Sequence, residues 1–172
     1  MSLRNSLRAS HLFAIALLLL QGCATVSRFE ATTPATTVAV RGLAKIEMPS
    51  ALTLDSKATG QHEFKAVAAT GQSLYGLLPL RVNGGRMAGS ILLFAPTLFI
   101  AGFRDPFGFY QVDLNAGLLN FKMKETDEWR AYRPTVAESE RAKAYFDAVE
   151  VKCKSEAGQN NVPTECANAR AN

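Results

Sequence analysis

The sequence predicts an α+β protein: a small antiparallel β domain followed by a C-terminal amphipathic helix. Two patterns carry that expectation. Short runs between residues 37 and 123 alternate apolar and polar with period two, separated by turn-prone pieces. Further on, Ala142, Tyr145, Phe146, Val149 and Cys153 recur at helical spacing behind a Thr135/Glu138 pair placed as a capping box. The 172 residues are 48% hydrophobic and 20% charged, the balance of a globular chain. The expected organisation is a leader over 1–22, a tether over 23–36, a β-rich domain over 37–133, a helix over 134–157 and a tail over 158–172.

The leader opens with Arg4 and Arg8 and continues into nine uninterrupted apolar residues, Leu12 to Leu20. That run is too short for a hydrocarbon layer about 30 Å thick but has the length of a signal-peptide core. Leu20-Gln21-Gly22-Cys23 resembles the lipobox of bacterial lipoproteins, with a leucine three places before the cysteine and a small residue just before it. Gln21 is an unusual middle residue for that pattern. The resemblance covers these 23 residues and implies cleavage between Gly22 and Cys23, a diacylglycerol thioether on Cys23 and a further acyl chain on its new amino group. One chain binds a membrane only marginally, whereas two or more hold firmly, each buried methylene adding roughly 0.8 kcal/mol. Ala24, where an aspartate would favour inner-membrane retention, implies an outer-membrane lipoprotein facing the periplasm. The competing reading is a buried N-terminal helix with an incidental cysteine.

Thr25 to Thr36, rich in Ala, Thr and Ser, reads as the tether. Val38 and Val40, then Leu52 and Leu54, then Phe64, Ala66 and Ala68 mark three strands with one buried face. Arg41-Gly42, Met48-Pro49-Ser50 and Lys57 to Gly60 supply the turns between them. Over about 35 residues this order resembles the PEGA-type β-sandwich modules of bacterial surface proteins. It matches in Val38-Ala39-Val40, Met48-Pro49, Leu52-Thr53-Leu54 and Gly60 to Ala66. The module's closing Gly-Tyr is replaced by Thr70-Gly71-Gln72. The resemblance implies a small antiparallel β-sandwich-like domain.

Met87 to Phe103 is an apolar Gly/Pro-containing segment of seventeen uncharged residues. As one helix it would reach about 25 Å at about 1.5 Å per residue, and Pro96 would break its hydrogen-bond ladder. Arg86 and Arg104 flank it. Three readings compete: a buried core element, a Pro-broken hairpin dipping into the bilayer, and a full span. PEGA-type lipoproteins carry a similar Gly-rich apolar stretch followed by an Asp, an Ala-Gly pair and an aromatic, matched here by Asp113, Ala116-Gly117 and Phe121. After it, Tyr110 to Leu114 and Leu119 to Met123 alternate around Asn115-Ala116-Gly117, predicting a hairpin with Tyr110, Val112, Leu114, Leu119, Phe121 and Met123 inward. Asp113 is expected near Lys122 on the outer side.

With Cys23 lipidated in an oxidising compartment, Cys153 and Cys166 are the remaining thiols. They are read either as a disulfide across the turn at Asn160 to Pro163 or as two free thiols in a tail.

The catalytic inventory is thin. Removing Arg4 and Arg8 with the leader leaves 17 basic against 15 acidic residues, too balanced to point to nucleic acid. His62 is the single histidine after the leader and reads as a surface or packing residue rather than a ligand. Gly71 to Gly76 misses the nucleophile-elbow spacing by one place. Asn83-Gly84-Gly85-Arg86 lacks the Lys-Ser/Thr of a phosphate loop. Asp105, Asp113, Glu125, Asp127 and Glu128 are scattered acids. No catalytic residue, metal site or cofactor is expected. The expected function is that of a lipid-anchored, non-catalytic envelope lipoprotein with a binding, assembly or structural role. Its partners are the membrane, through Cys23, and other envelope proteins. The alternative is a membrane-inserting effector or immunity-type lipoprotein that works through 87–103.

Overall fold

The computed structural model describes residues 24–85, 88, 102–155 and 166. Strands β1 (Ala24–Ala31), β4 (Ser50–Asp55), β9 (Phe109–Asp113), β10 (Leu118–Lys122) and β11 (Arg130–Tyr132) form a five-stranded sheet in the order β11-β10-β9-β1-β4. Strands β2 (Thr36–Val40), β3 (Ile46–Glu47), β5 (Glu63–Ala68) and β6 (Ser73–Leu77) form a second sheet, β3-β2-β5-β6. Short β7 (Leu80–Val82) and β8 (Arg104–Pro106) pair with each other, and α1 (Val136–Ser155) follows. Pairings are antiparallel except β1 with β9, which is parallel. The α+β, sandwich-like fold expected from the sequence is the fold observed.

The alternating runs fall where period two puts them. Val38 and Val40 of β2 and Phe64, Ala66 and Ala68 of β5 turn inward and are buried, while Thr37, Ala39 and Lys65 alternate with them. They meet Phe29, Leu54, Tyr110, Val112, Leu114 and Leu119 from the other sheet in one core. Side chains at i and i+2 share a face of a strand, so each run commits one face to this core.

The hairpin turns at Leu114 to Gly117, with Gly117 at φ +64°, a conformation that costs glycine little. Leu119 lies opposite Val112 and Phe121 opposite Tyr110, as the inward pattern requires. Asp113 is opposite Leu118, however, and Lys122 is opposite Phe109. The expected Asp113–Lys122 neighbourhood is therefore absent. Asp113 instead accepts a hydrogen bond from the Ala116 N–H at 3.0 Å, closing the turn.

One expectation is overturned. Thr25 to Thr36 is not a tether: residues 24–31 are β1, an interior strand of the larger sheet, between β9 and β4. The Ala/Thr/Ser composition masked its period. Ser27 and Phe29 are fully buried, and Val26 and Arg28 face outward. The Phe29 ring stacks on Tyr110 with centroids 5.1 Å apart. The tether missed this because one aromatic in a small-residue run gives no alternation to count.

Helix α1 begins as the capping box predicts. The Thr135 N–H donates to Glu138 Oε2 at 2.8 Å and the Glu138 N–H to Thr135 Oγ1 at 3.3 Å, reciprocally satisfying helix-end donors. Ala142 is fully buried, and Tyr145, Phe146 and Val149 are half-buried on the same stripe. The helix lies on the outer side of β5 and β6, with Phe146 against Tyr75 and Ser139 Oγ donating to the Tyr75 carbonyl at 3.0 Å.

The leader, Cys23 and most of the apolar segment, residues 86–87 and 89–101, lie outside the described residues, as does the tail apart from Cys166. Among the described residues no helix is long and apolar enough to cross a membrane.

Candidate functional site

The described residues that border Cys23 and the apolar segment lie at one end of the sandwich. Ala24, the residue after Cys23, opens β1 and lies opposite Asp55 at the end of β4. Two residues further, Lys57 exchanges backbone hydrogen bonds with Arg104, its N–H donating at 2.9 Å and its carbonyl accepting at 3.1 Å. Arg104 in turn lies opposite Val82 across the β7–β8 pair, and the Asn83 N–H donates to the Phe103 carbonyl at 2.7 Å. These last pairs form a neck from which residues 86–101 depart. Counting strand spacings of about 4.8 Å and a rise of about 3.3 Å per residue, Ala24 and the neck lie within roughly 20 Å of each other. The Leu114 to Gly117 turn sits at the far end, because β9 runs parallel to β1 with Val112 opposite Ala31.

Asp105 fastens the neck. Its buried carboxylate accepts from Ser56 Oγ at 2.7 Å and from Asn83 Nδ2 at 2.9 Å, and Arg81 Nη2 stands 3.7 Å away. One side chain thus ties the end of β4 to both sides of the neck. Gly102 sits against the same point at φ +65°, where a Cβ would come within 2.8 Å of the Ser56 carbonyl oxygen. Gly102→Ala is expected to combine left-handed strain with this backbone clash, costing on the order of 1–3 kcal/mol. A lower denaturation midpoint on a thermal melt checks it. An unchanged midpoint would mean the neck is not held as described.

A second cluster locks α1 to the sandwich. Glu63, at the start of β5, is buried, and its Oε1 accepts from Arg41 Nη1 at 3.2 Å and from Arg141 Nη2 and Nε at 2.8 and 3.0 Å. The arginines are 52% and 53% exposed at their side chains. Burial alone would raise the Glu63 pKa, but its backbone hydrogen bond and both guanidiniums outweigh it, and the net shift is downward. The ring of Tyr145 lies under Arg41, 4.7 Å from centroid to guanidinium.

His62, one residue before, is nearly buried, with Nε2 2.9 Å from the Asp55 carbonyl. Burial lowers its pKa, the Asp55 hydrogen bond opposing, so the neutral ring is favoured in the fold. Of the surface and packing readings the sequence leaves open, the structure shows packing, with His62 joining β5 to the end of β4.

The structure gathers one of the scattered acids, Asp105, into a polar cluster with the Ser56 hydroxyl, the Asn83 amide and Arg81. Asp127 accepts from the Lys124 N–H at 2.9 Å, a local turn bond. Among the described residues no group of three His, Cys, Asp or Glu side chains is placed to hold a metal ion. Sequence reasoning missed the roles of Asp105 and Glu63. Their partners come from 22 to 78 residues away, so no local pattern carried them.

The thiol question resolves as the bridge. Cys153 at the end of α1 is bonded to Cys166, with Cα atoms 5.2 Å apart. Reducing it, or making Cys166→Ser, is expected to lower stability by up to about 3 kcal/mol. Thermal melts with and without reductant read the difference, and coincident melts would contradict it. No family model matches the chain, and neither the curated proteins nor the solved structures contain a match.

Proposed function

We propose that this chain is a lipid-anchored cell-envelope protein with a non-catalytic binding, assembly or structural role, held by acyl chains on Cys23 and, from Ala24, on the outer membrane facing the periplasm. The single observation that supports this most is Leu20-Gln21-Gly22-Cys23 standing immediately before β1. The Cys153–Cys166 bridge agrees with an exported, oxidising setting. Its physical consequence is short reach: one Cα step of about 3.8 Å separates Cys23 from the first strand residue. The domain therefore rests on the headgroups instead of swinging on a spacer. Blocking the lipoprotein signal peptidase is expected to accumulate an unprocessed precursor. Normal maturation under that block would refute the proposal.

A second reading is that 87–103 enters the same bilayer, making the chain a membrane-inserting effector or immunity-type lipoprotein. The neck at Val82 and Arg104, on the same end as Ala24, favours it. Arg104 would then sit at headgroup depth. A Cys23→Ser chain exported by another signal should still partition with membranes. Its release to the soluble fraction would leave the apolar segment as core.

A further inference from the structure

We infer that β4 is an interface between two copies of this chain, its free edge pairing antiparallel with β4 of a second copy about a two-fold axis. β4 lies at the end of the sheet order β11-β10-β9-β1-β4. The bonds around it fix which of its backbone groups are left over. The Arg28 and Thr32 N–H groups donate to the Gly108 and Val112 carbonyls, so the even residues of β1 bond to β9 and the odd ones to β4. Ser27 stands opposite Leu52 and Phe29 opposite Ser50, so the even residues of β4 bond to β1 and its odd residues point outward. On that outward side the Lys57 N–H and carbonyl are paired with Arg104, and the Asp55 carbonyl accepts from His62 Nε2 at 2.9 Å. Ala51 and Thr53 remain. Both are exposed, and among the described residues neither has a backbone partner on that side.

Sheets blunt such an edge with a charge, a proline or a bulge. From Ser50 to Leu54 β4 has none of these. Its register against β1 runs unbroken from Phe29–Ser50 to Ala24–Asp55, and its one charge is Asp55 at the end. Ile46, Met48 and Leu52, along the crossing from β3 into β4, are only partly buried against the core, an apolar lip beside the open backbone.

A second β4 matches both the lip and the edge. With Leu52 opposite its own copy, Ala51 of each strand faces Thr53 of the other, each pair exchanging two N–H···O=C bonds, and inward side chains meet inward ones. Asp55, whose carbonyl His62 already holds, falls opposite Pro49, which has no N–H to offer it. A shift of two residues spoils this match. In one direction the Ala51 N–H is left with the occupied Asp55 carbonyl, and in the other the Thr53 carbonyl faces Pro49 and loses its donor.

The test is cysteine cross-linking of the full chain in the cells that make it. Leu52→Cys puts two thiols at the two-fold axis, where a directly opposite, non-hydrogen-bonded pair has Cα atoms about 4.5 Å apart, within disulfide reach. A reducible product of twice the chain mass is expected on a non-reducing gel. Val26→Cys, on the outer face of β1 and 66% exposed in the native chain, should stay monomeric under the same oxidation. Adding Thr53→Pro to Leu52→Cys removes an outward N–H, which an edge strand tolerates, and should lower the dimer about tenfold or more. Thr53→Lys brings like charges to diagonal positions across the join, should also weaken it, and decides the matter if the proline variant melts early. No dimer from Leu52→Cys, equal dimer from Val26→Cys, undiminished dimer with the Thr53 substitutions, or a product of another mass in place of the dimer would overturn the inference.

Discussion

Phe29→Ala should destabilise the domain by about 3–5 kcal/mol, a large share of the roughly 5–15 kcal/mol that holds a domain folded. The side chain is fully buried, stacks on Tyr110 and lies in the middle of the two-sheet core. Removing it deletes the transfer free energy of an aromatic ring and leaves a cavity that two hydrogen-bonded strands cannot easily collapse. The neighbourhood is constrained further. The Tyr110 hydroxyl donates to the Pro79 carbonyl at 2.7 Å and accepts from the Phe107 N–H at 2.9 Å, so Tyr110 cannot slide into the space without breaking a buried bond. Burial pushes that phenol's pKa well above its usual range, and it stays a neutral donor at every physiological pH. Chemical denaturation measures the effect. The result also separates two architectures, because in a tether the same substitution would change the midpoint by almost nothing.

Removing Arg41 and Arg141 together should have the second large effect, about 3 kcal/mol at neutral pH. The asymmetry lies in who is buried. The guanidiniums are half in water, while the Glu63 carboxylate is not, so the double substitution Arg41→Ala/Arg141→Ala strands a charge inside the protein. Either single substitution should cost less, since the other arginine still reaches Oε1. The pH dependence changes sign as well. In the native chain Glu63 has a depressed pKa, so its contribution is present above the ordinary carboxylate pKa and is lost as pH falls through the folded value. Without the arginines, burial dominates and raises that pKa. The double variant's deficit should therefore shrink as pH falls into the acid range, where a protonated Glu63 is tolerated. Parallel native and variant stability profiles across the acid range would contradict this.

Much of the fold was legible because period two is a local property. Val38/Val40, Phe64/Ala66 and Tyr110/Val112 with Leu119/Phe121 each declare a buried face within five residues, and Thr135 with Glu138 declares a helix start within four. Strand β1 was illegible for the opposite reason. Its inward side chains are Thr25, Ser27, Phe29 and Ala31, mostly small or polar, and their burial comes from β4 and β9, which are distant in sequence. Strand β6 was hidden similarly, since Tyr75 and Gly76 break a clean alternation and are fixed by α1 and Pro134. The parallel β1–β9 pairing could not be read without β1. At the candidate site, the lipobox pattern and the apolar run could be read from composition and order, whereas the meeting of the residues that border them at one end depends on register. Only the Ala24–Asp55, Lys57–Arg104 and Val82–Arg104 pairs bring them together.

That convergence gives the missing tether its significance. With β1 starting at Ala24, lipid on the preceding residue would fix which end of the sandwich faces the bilayer, and the Leu114 to Gly117 turn would point away from it. The direct measurement is the intact mass and N-terminal residue of the protein purified from its native envelope. The account predicts a chain beginning at Cys23 that carries the added mass of diacylglycerol and acyl groups. A chain that still begins at Met1 with no acyl mass would contradict it.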